Sequence, residues 1–182
     1  MPIYERLGVR TLINARSFST KAGGCALPAE VLEAMCEAGQ RCVRMDELQA
    51  AASEVIARVT GAEAGIVTSG AAAGLTLGAA ACLARLDVAR MNRLPDTAGM
   101  PDQFIVHRTH RNDYDHAVRA AGAKFVEVGY AYYTFSYEID SAISAQTAAL
   151  YYQAGAAQSE GRRVTSPPGR SASCRRGSPR CP

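Results

Sequence analysis

The clearest pattern of apolar and polar positions along the chain is a helical one that begins at Met45. Gly61 ends this predicted helix. The apolar side chains on its one face are Leu48, Ala52, Val55, Ile56 and Val59. A second helix is predicted after Pro28, because proline suits a first helical turn and the nearby Glu30 and Glu33 suit the positive end of the helix dipole. The sequence before Pro28 predicts only a short apolar segment around residues 11–14 and a glycine-containing loop.

Beyond Gly61, short apolar runs alternate with helical segments. Ile66 and Val67 predict the end of a strand, and a helix is predicted from Ala71 to about Leu86. A loop, a buried strand, a helix and a second strand are then predicted at residues 90–102, 103–108, 115–123 and 124–129. Residues 137–152 predict a short helix followed by a third strand at 148–152. Strand–helix–strand units build parallel sheets, so the sequence predicts an α/β fold with a mainly parallel sheet.

The stretch GIVTSGAAAG, residues 65–74, places very small side chains where a helix is predicted to begin. A helix start leaves amide groups unpaired and carries positive charge, so Ser69, Gly70, Ala71 and Ala72 predict a phosphate cradle. An alanine-rich helix packed closely on a sheet, with no ligand, has the same composition. The spacing matches neither a Walker sequence nor a GxGxxG dinucleotide fingerprint.

Composition divides the chain at Tyr152. The 48% of hydrophobic residues suffice for a core, but residues 153–182 are rich in Arg, Ser, Pro and Gly and predict a disordered basic tail. That tail is typical either of a nucleic-acid-binding arm or of a high-GC gene read out of frame. We therefore divide the chain into an N-terminal segment and first helix (1–44), an α/β region (45–152), to which the resemblance described below assigns part of a cofactor-binding domain, and the tail (153–182).

The sequence carries no membrane-spanning run and no signal-peptide core, which predicts a cytoplasmic protein. The six cysteines form neither CxxC pairs nor a regular framework, which is typical of reduced thiols, and Cys36 and Cys82 are predicted to pack in the core. A metal site is not expected from the polar cluster after residue 106, because successive strand side chains face opposite ways and no zincin spacing is present. That cluster contains His107, His110, Asp113, Asp115 and His116. For His107 and His116 we expect a structural role.

Four stretches together resemble the selenocysteine synthase-like family, which includes L-seryl-tRNA(Sec) selenium transferase and D-glucosaminate-6-phosphate ammonia-lyase. They are YERLGVRTLINAR, DELQAAASEVIARVTGAEAGIVTSGAAAGLTLGAAACLA, RLPDT and HRTHRNDYDHAVRAAGAKFVEVG. The resemblance implies an incomplete large domain similar to that of the aspartate aminotransferases, the fold-type I pyridoxal-phosphate enzymes. It also implies a cofactor site at Ser69, Gly70, Ala71, Ala72 and His110, and substrate contacts at Asn14, Arg16, Arg108, Arg111 and Tyr114.

The resemblance further implies β-elimination or replacement through a Schiff base, on an amino acid or amino-sugar acid. The family takes its Schiff-base lysine and its pyridine-nitrogen aspartate from a later region. The only lysines here are Lys21 and Lys124, and no aspartate follows Asp140. We therefore expect a truncated chain that is inactive alone and cannot attach pyridoxal 5'-phosphate covalently at the family position.

Other interpretations stay open at this point. They are a non-catalytic phosphate- or cofactor-binding module, a tRNA-linked selenium transferase relative, and a nucleic-acid binder that uses the basic tail. Complete relatives are expected to be homo-oligomers with a small amino substrate. A tRNA partner is disfavoured because the family motif starts within the first few residues.

Overall fold

The computed structural model describes residues 2–15, 18 and 20–153, and the chain divides into two compact units, Met1–Ile66 and Val67–Pro182. The first unit contains α1 (Ile3–Arg6), a short 3₁₀ helix (Thr20–Ala22), α2 (Ala29–Ala38) and α3 (Met45–Thr60). The predictions for the two longer helices are confirmed: Pro28 precedes α2, and Gly61 ends α3 at φ +76°. That left-handed conformation is one that glycine adopts without a steric cost.

The second unit alternates helices with the strands of one sheet. Its elements are α4 (Ala71–Ala84), α5 (Val88–Arg93), β1 (Gln103–His107), α6 (Asp115–Ala120), β2 (Lys124–Val128), α7 (Ser136–Ala142) and β3 (Thr147–Tyr151). A 3₁₀ turn, Arg108–His110, follows β1. The strands lie in the order β2–β1–β3 and both pairings are parallel, which confirms the predicted fold class.

The core of the second unit lies where α4 and α6 pack together and against the sheet. Apolar side chains from these elements form it: Ala79, Leu83, Phe104, Val118, Ala121 and Ala123. The Thr76 hydroxyl donates a hydrogen bond of 2.8 Å to the Ala117 carbonyl and joins α4 to α6. The central strand β1 is buried from Phe104 to His107, so the residues at its carboxyl end are held on a rigid base.

The strand predicted at Ile66 and Val67 is not formed. These residues belong to no sheet of the described chain, and both side chains are exposed. A strand is defined by the hydrogen bonds of a ladder, which depend on a neighbour that local sequence does not specify.

The loop predicted at residues 90–102 is also corrected, because α5 occupies its first part. The Asp87 carboxylate accepts hydrogen bonds from the amides of Ala89 and Arg90, at 3.0 and 3.1 Å, and so caps the start of this helix. Such caps favour even short helices.

Cys36 and Cys82 were predicted to be core residues, and both are exposed. Helix α4 is apolar on every side, so its sequence does not reveal which face is covered. The sheet and α6 cover Ala79 and Leu83 and leave Cys82 in an open apolar groove beside β3. None of the described helices is long and apolar enough to cross a membrane. The predicted disordered tail lies, apart from Gln153, outside the described residues.

Candidate functional site

A cleft of about 390 Å³ lies where the start of α4 meets the carboxyl ends of β1 and β3. It is lined by Ala71, Gly74, Leu75, Asn112, Tyr114, Tyr151 and Gln153. The carboxyl ends of parallel strands are where open α/β sheets bind their ligands. The geometry of the sheet alone therefore identifies this cleft as the candidate site.

The start of α4 forms one wall of the cleft. Gly70 precedes the helix at φ +140° and ψ 170°, a conformation open only to glycine, and no side chain caps the helix. The amides of Ala71, Ala72 and Ala73 precede the first bond of the helix, which runs from the Gly74 amide to the Gly70 carbonyl at 3.1 Å. This 14-residue helix therefore presents backbone donors and the positive end of its dipole.

Asn112 organises the opposite wall. Its side-chain amide donates to the His110 carbonyl at 3.0 Å and to the Gln153 side-chain oxygen, and its own oxygen accepts from the Tyr114 amide at 2.8 Å. Burial raises the pKa of Tyr151, while a hydrogen bond to Asn112 acts in the opposite direction. One side chain thus connects the turn after β1 to the end of β3.

Two buried imidazoles lie behind this wall. His107 and His110 are 3% and 1% exposed, and their ring centroids are 4.8 Å apart. Burial lowers the pKa of both side chains, so both rings are neutral near pH 7. His107 Nδ1 and His110 Nε2 are buried without a hydrogen-bond partner in the described part of the chain. His107 is buried, whereas His116 is exposed, and a structural role for either stays a prediction.

The arginines that follow β1 are engaged by carboxylates. Arg111 forms ion pairs with Asp115 and Glu127 and lies over the Phe125 ring, with its guanidinium carbon 4.9 Å from the ring centroid. The Asp115 carboxylate raises the pKa of Arg111 further above its ordinary value. Arg108 is 3.4 Å from Glu127 and is largely exposed. These contacts fix Arg111 more firmly than Arg108.

The structure brings together some of the predicted site residues. Ala71 and Tyr114 line one cleft, whereas Ser69, Gly70, Ala72, Arg108, His110 and Arg111 are not among the residues that line it. Asn14 lies in the first unit, where its side-chain amide donates to the Gly24 carbonyl, and Arg16 lies outside the described residues. The binding roles of all these residues stay predictions.

Sequence reasoning missed Asn112 and Gln153. Their contact spans 41 residues, and nothing in the local sequence indicates it. No group of three or more potential metal ligands occurs among residues 2–15, 18 and 20–153.

Comparison with known proteins finds relatives of similar sequence. The chain is 36% identical over 154 residues to D-glucosaminate-6-phosphate ammonia lyase of Salmonella typhimurium (strain 14028s / SGSC 2262), which covers 82% of this chain and 42% of that protein. It is equally identical over 154 residues to a 5'-C-glycyluridine monooxygenase-decarboxylase of a Streptomyces species, covering 82% of this chain and 39% of the relative. No protein-family model matches the chain.

A solved structure of D-glucosaminate-6-phosphate ammonia-lyase has a TM-score of 0.79 and 35% sequence identity. The match covers 82% of this chain and 42% of that structure. The chain thus spans about two fifths of the length of the curated relatives it matches. Sequence and fold agree that the chain belongs to the selenocysteine synthase-like family of fold-type I pyridoxal-phosphate enzymes, together with D-glucosaminate-6-phosphate ammonia lyase.

Proposed function

We propose that this chain forms the phosphate-binding end of a pyridoxal-phosphate site, in a lyase or transferase acting on an amino acid or an amino-sugar acid. The observation that carries the proposal is the start of α4, where Gly70 precedes three amides that come before the first helical hydrogen bond, and where Ala71, Gly74 and Leu75 line one wall of the cleft. The relative named as an ammonia lyase supports the lyase class.

The residues at the start of α4 fit a phosphate group. A side chain at Gly70 would require a backbone conformation that L-residues rarely adopt, so glycine here keeps the approach to the amides of Ala71 and Ala72 open. Amides at a helix start bind a dianion by hydrogen bonds and by the helix dipole. When bound, the cofactor supplies an electron sink for bonds at the substrate α-carbon. Asn112 and Tyr114 face the same cleft and orient what binds there.

Neither lysine of the chain is proposed to hold the cofactor. Lys124 begins β2, at the end of the sheet opposite the cleft, and its ammonium group lies 2.7 Å from the Asp102 carboxylate. Lys21 lies in the short 3₁₀ helix of the first unit. We propose that the covalent lysine and the carboxylate that pairs with the pyridine nitrogen come from outside residues 1–152, so that this chain alone does not catalyse.

The proposal is tested by titrating the purified chain with pyridoxal phosphate and following absorbance and equilibrium dialysis. Gly70→Ala is expected to raise the Kd about tenfold or more, because the new side chain strains the cradle. Gly78→Ala is the matched control: it lies in the same helix, and a β-carbon there meets nothing within 4 Å. That variant is expected to bind like the wild type.

Pyridoxal without phosphate identifies the end of the cofactor that the cleft binds. It is expected to bind at least about tenfold more weakly than pyridoxal phosphate, since the dianion makes the main contacts. Equal affinity for the two compounds, or an unchanged Kd in Gly70→Ala, would contradict the proposal.

A second candidate, a non-catalytic cofactor-binding module, is favoured by the position of Lys124 away from the cleft. Both candidates predict binding that borohydride does not make covalent. They differ when the chain is mixed with the remaining region of a relative. Lyase activity restored by the mixture supports the enzyme, and unchanged binding without activity supports the module.

A further inference from the structure

We propose that Asn112 is a positioning residue that joins the turn after β1 to the segment after β3 and thereby holds the His110 ring in one tautomer and orientation. The inference rests on the proposed function, because the wall that Asn112 organises belongs to the proposed cofactor cleft. Neither the sequence pattern nor the resemblance singles out Asn112.

The side chain of Asn112 uses its donors and its acceptor on three different segments. It donates to the His110 carbonyl and to the Gln153 side chain, and it accepts from the Tyr114 amide. The same side chain also hydrogen-bonds the Tyr151 hydroxyl at the end of β3. A half-buried amide with its hydrogen bonds satisfied in this way has one orientation. Asn112 therefore fixes both the turn and Gln153.

Gln153 in turn fixes the His110 ring. Its backbone amide donates to His110 Nδ1 at 3.3 Å, and the ring of the preceding Tyr152 meets the imidazole edge-on, with centroids 4.7 Å apart. A neutral imidazole whose Nδ1 accepts a hydrogen bond carries its proton on Nε2. The contact with Gln153 therefore selects the Nε2–H tautomer.

This arrangement determines the position and direction of the Nε2–H group of His110. It is buried and lacks an acceptor within the described ranges. A buried donor without a partner is costly, and an acceptor atom on a ligand would relieve that cost. When the Asn112–Gln153 contact is lost, we expect the ring to sample the other tautomer and the ligand to bind more weakly.

Asn112→Asp tests the proposal with little disturbance of the turn. Aspartate keeps the oxygen that accepts from the Tyr114 amide, but it loses both donors. Asp113→Asn makes the reverse change at an exposed neighbouring position and is the matched control. Ring ¹⁵N chemical shifts of the full chain, assigned with a His110→Asn variant, report the tautomer without any ligand.

In the wild type and in Asp113→Asn, the ¹⁵N shifts of His110 are expected to show one Nε2–H tautomer. In Asn112→Asp the two ring nitrogens are expected to move towards a common averaged shift. In Gln153→Ala, which removes the contact with Asn112 without adding a charge to the cleft, the Kd for pyridoxal phosphate is expected to rise about tenfold and the Kd for inorganic phosphate to stay unchanged, because the start of α4 is intact.

Gln153→Ala removes the same hydrogen bond from its other side and serves if Asn112→Asp fails to fold. It is expected to shift the tautomer as Asn112→Asp does, and the double variant is expected to add nothing further. A single unchanged tautomer in both variants, or an altered tautomer with unaltered cofactor affinity, overturns the inference. If the wild type binds no pyridoxal phosphate, the proposed function fails, and the tautomer result alone decides whether Asn112 holds His110.

Discussion

The two units of the chain carry comparable apolar patterns and differ in what those side chains pack against. None of the described residues up to Ile66 is buried, and in α3 Leu48 and Val59 are 50% and 78% exposed. In the second unit Leu83 is 1% exposed, and β1 is buried over most of its length. An apolar stripe therefore predicts a helix without predicting a core, and we expect the stability of the chain to reside in the second unit.

Truncation of leucine side chains is expected to give the largest difference in stability loss between the two units. Leu83→Ala leaves a cavity in the core and is expected to lower the free energy of unfolding of the second unit by about 2–5 kcal/mol. Leu77→Ala, in the same helix but 49% exposed, and Leu48→Ala in α3 are expected to cost less than about 1 kcal/mol each. Urea unfolding followed by circular dichroism measures all three. Similar losses for Leu48 and Leu83 would break the contrast between the units.

Alanine at two left-handed glycines separates backbone strain from crowding. At Gly122, with φ +101°, a β-carbon would overlap the Pro95 carbonyl oxygen and lie 2.7 Å from Thr97 Cγ2. Gly122→Ala is expected to cost about 2–4 kcal/mol from strain and crowding together. Gly61→Ala meets open space at φ +76°, so only strain remains, about 1 kcal/mol. Thermal unfolding of the two variants measures the difference, and equal costs would show that crowding at Gly122 is relieved.

The smallest expected difference between the two units is in how their stability depends on pH. Burial lowers the pKa of His107 and His110, so the unfolded chain binds more protons than the folded one as the pH falls below about 6.5. Stability is therefore full above that pH and declines below it, by at most about 1.4 kcal/mol per pH unit for each histidine. No histidine precedes His107, so we expect the decline in the second unit only.

Urea unfolding at about pH 7.5 and about pH 5.5 measures this decline. Replacing His107 and His110 together with asparagine is expected to flatten the pH dependence, whatever it does to the absolute stability. A pH dependence that survives the double replacement would assign the effect to other groups.

The elements predicted correctly are those that local sequence determines. Pro28 and Gly61 mark helix boundaries by their own backbone preferences, and the apolar runs of β1, β2 and β3 are long enough to be read as strands. The segment at Ile66 and Val67 was predicted wrongly because membership of a sheet depends on distant parts of the chain, which local sequence does not specify. Helix α5 was missed because the pattern of its apolar residues is weak and Asp87 alone marks its start.

In the candidate site, too, some features follow from local sequence and others depend on contacts between distant parts of the chain. The glycine and the small residues before and within α4 indicate a helix start that a ligand can approach, and that information is local. The wall opposite depends on Asn112 meeting Gln153 across 41 residues, which follows from the register of β1 and β3. Sequence periodicity does not encode such a register between strands separated by two helices and another strand.

The sheet order β2–β1–β3 leaves two outer strands that are not alike. The outer strand β2 carries Lys124 and Glu127, charges of the kind that discourage a further strand from pairing with an edge, whereas β3, from Thr147 to Tyr151, carries none. We therefore expect a strand from another molecule to pair with β3 rather than with β2. In concentrated solution we expect self-association to begin at β3, and a lysine placed on that strand to restrain it.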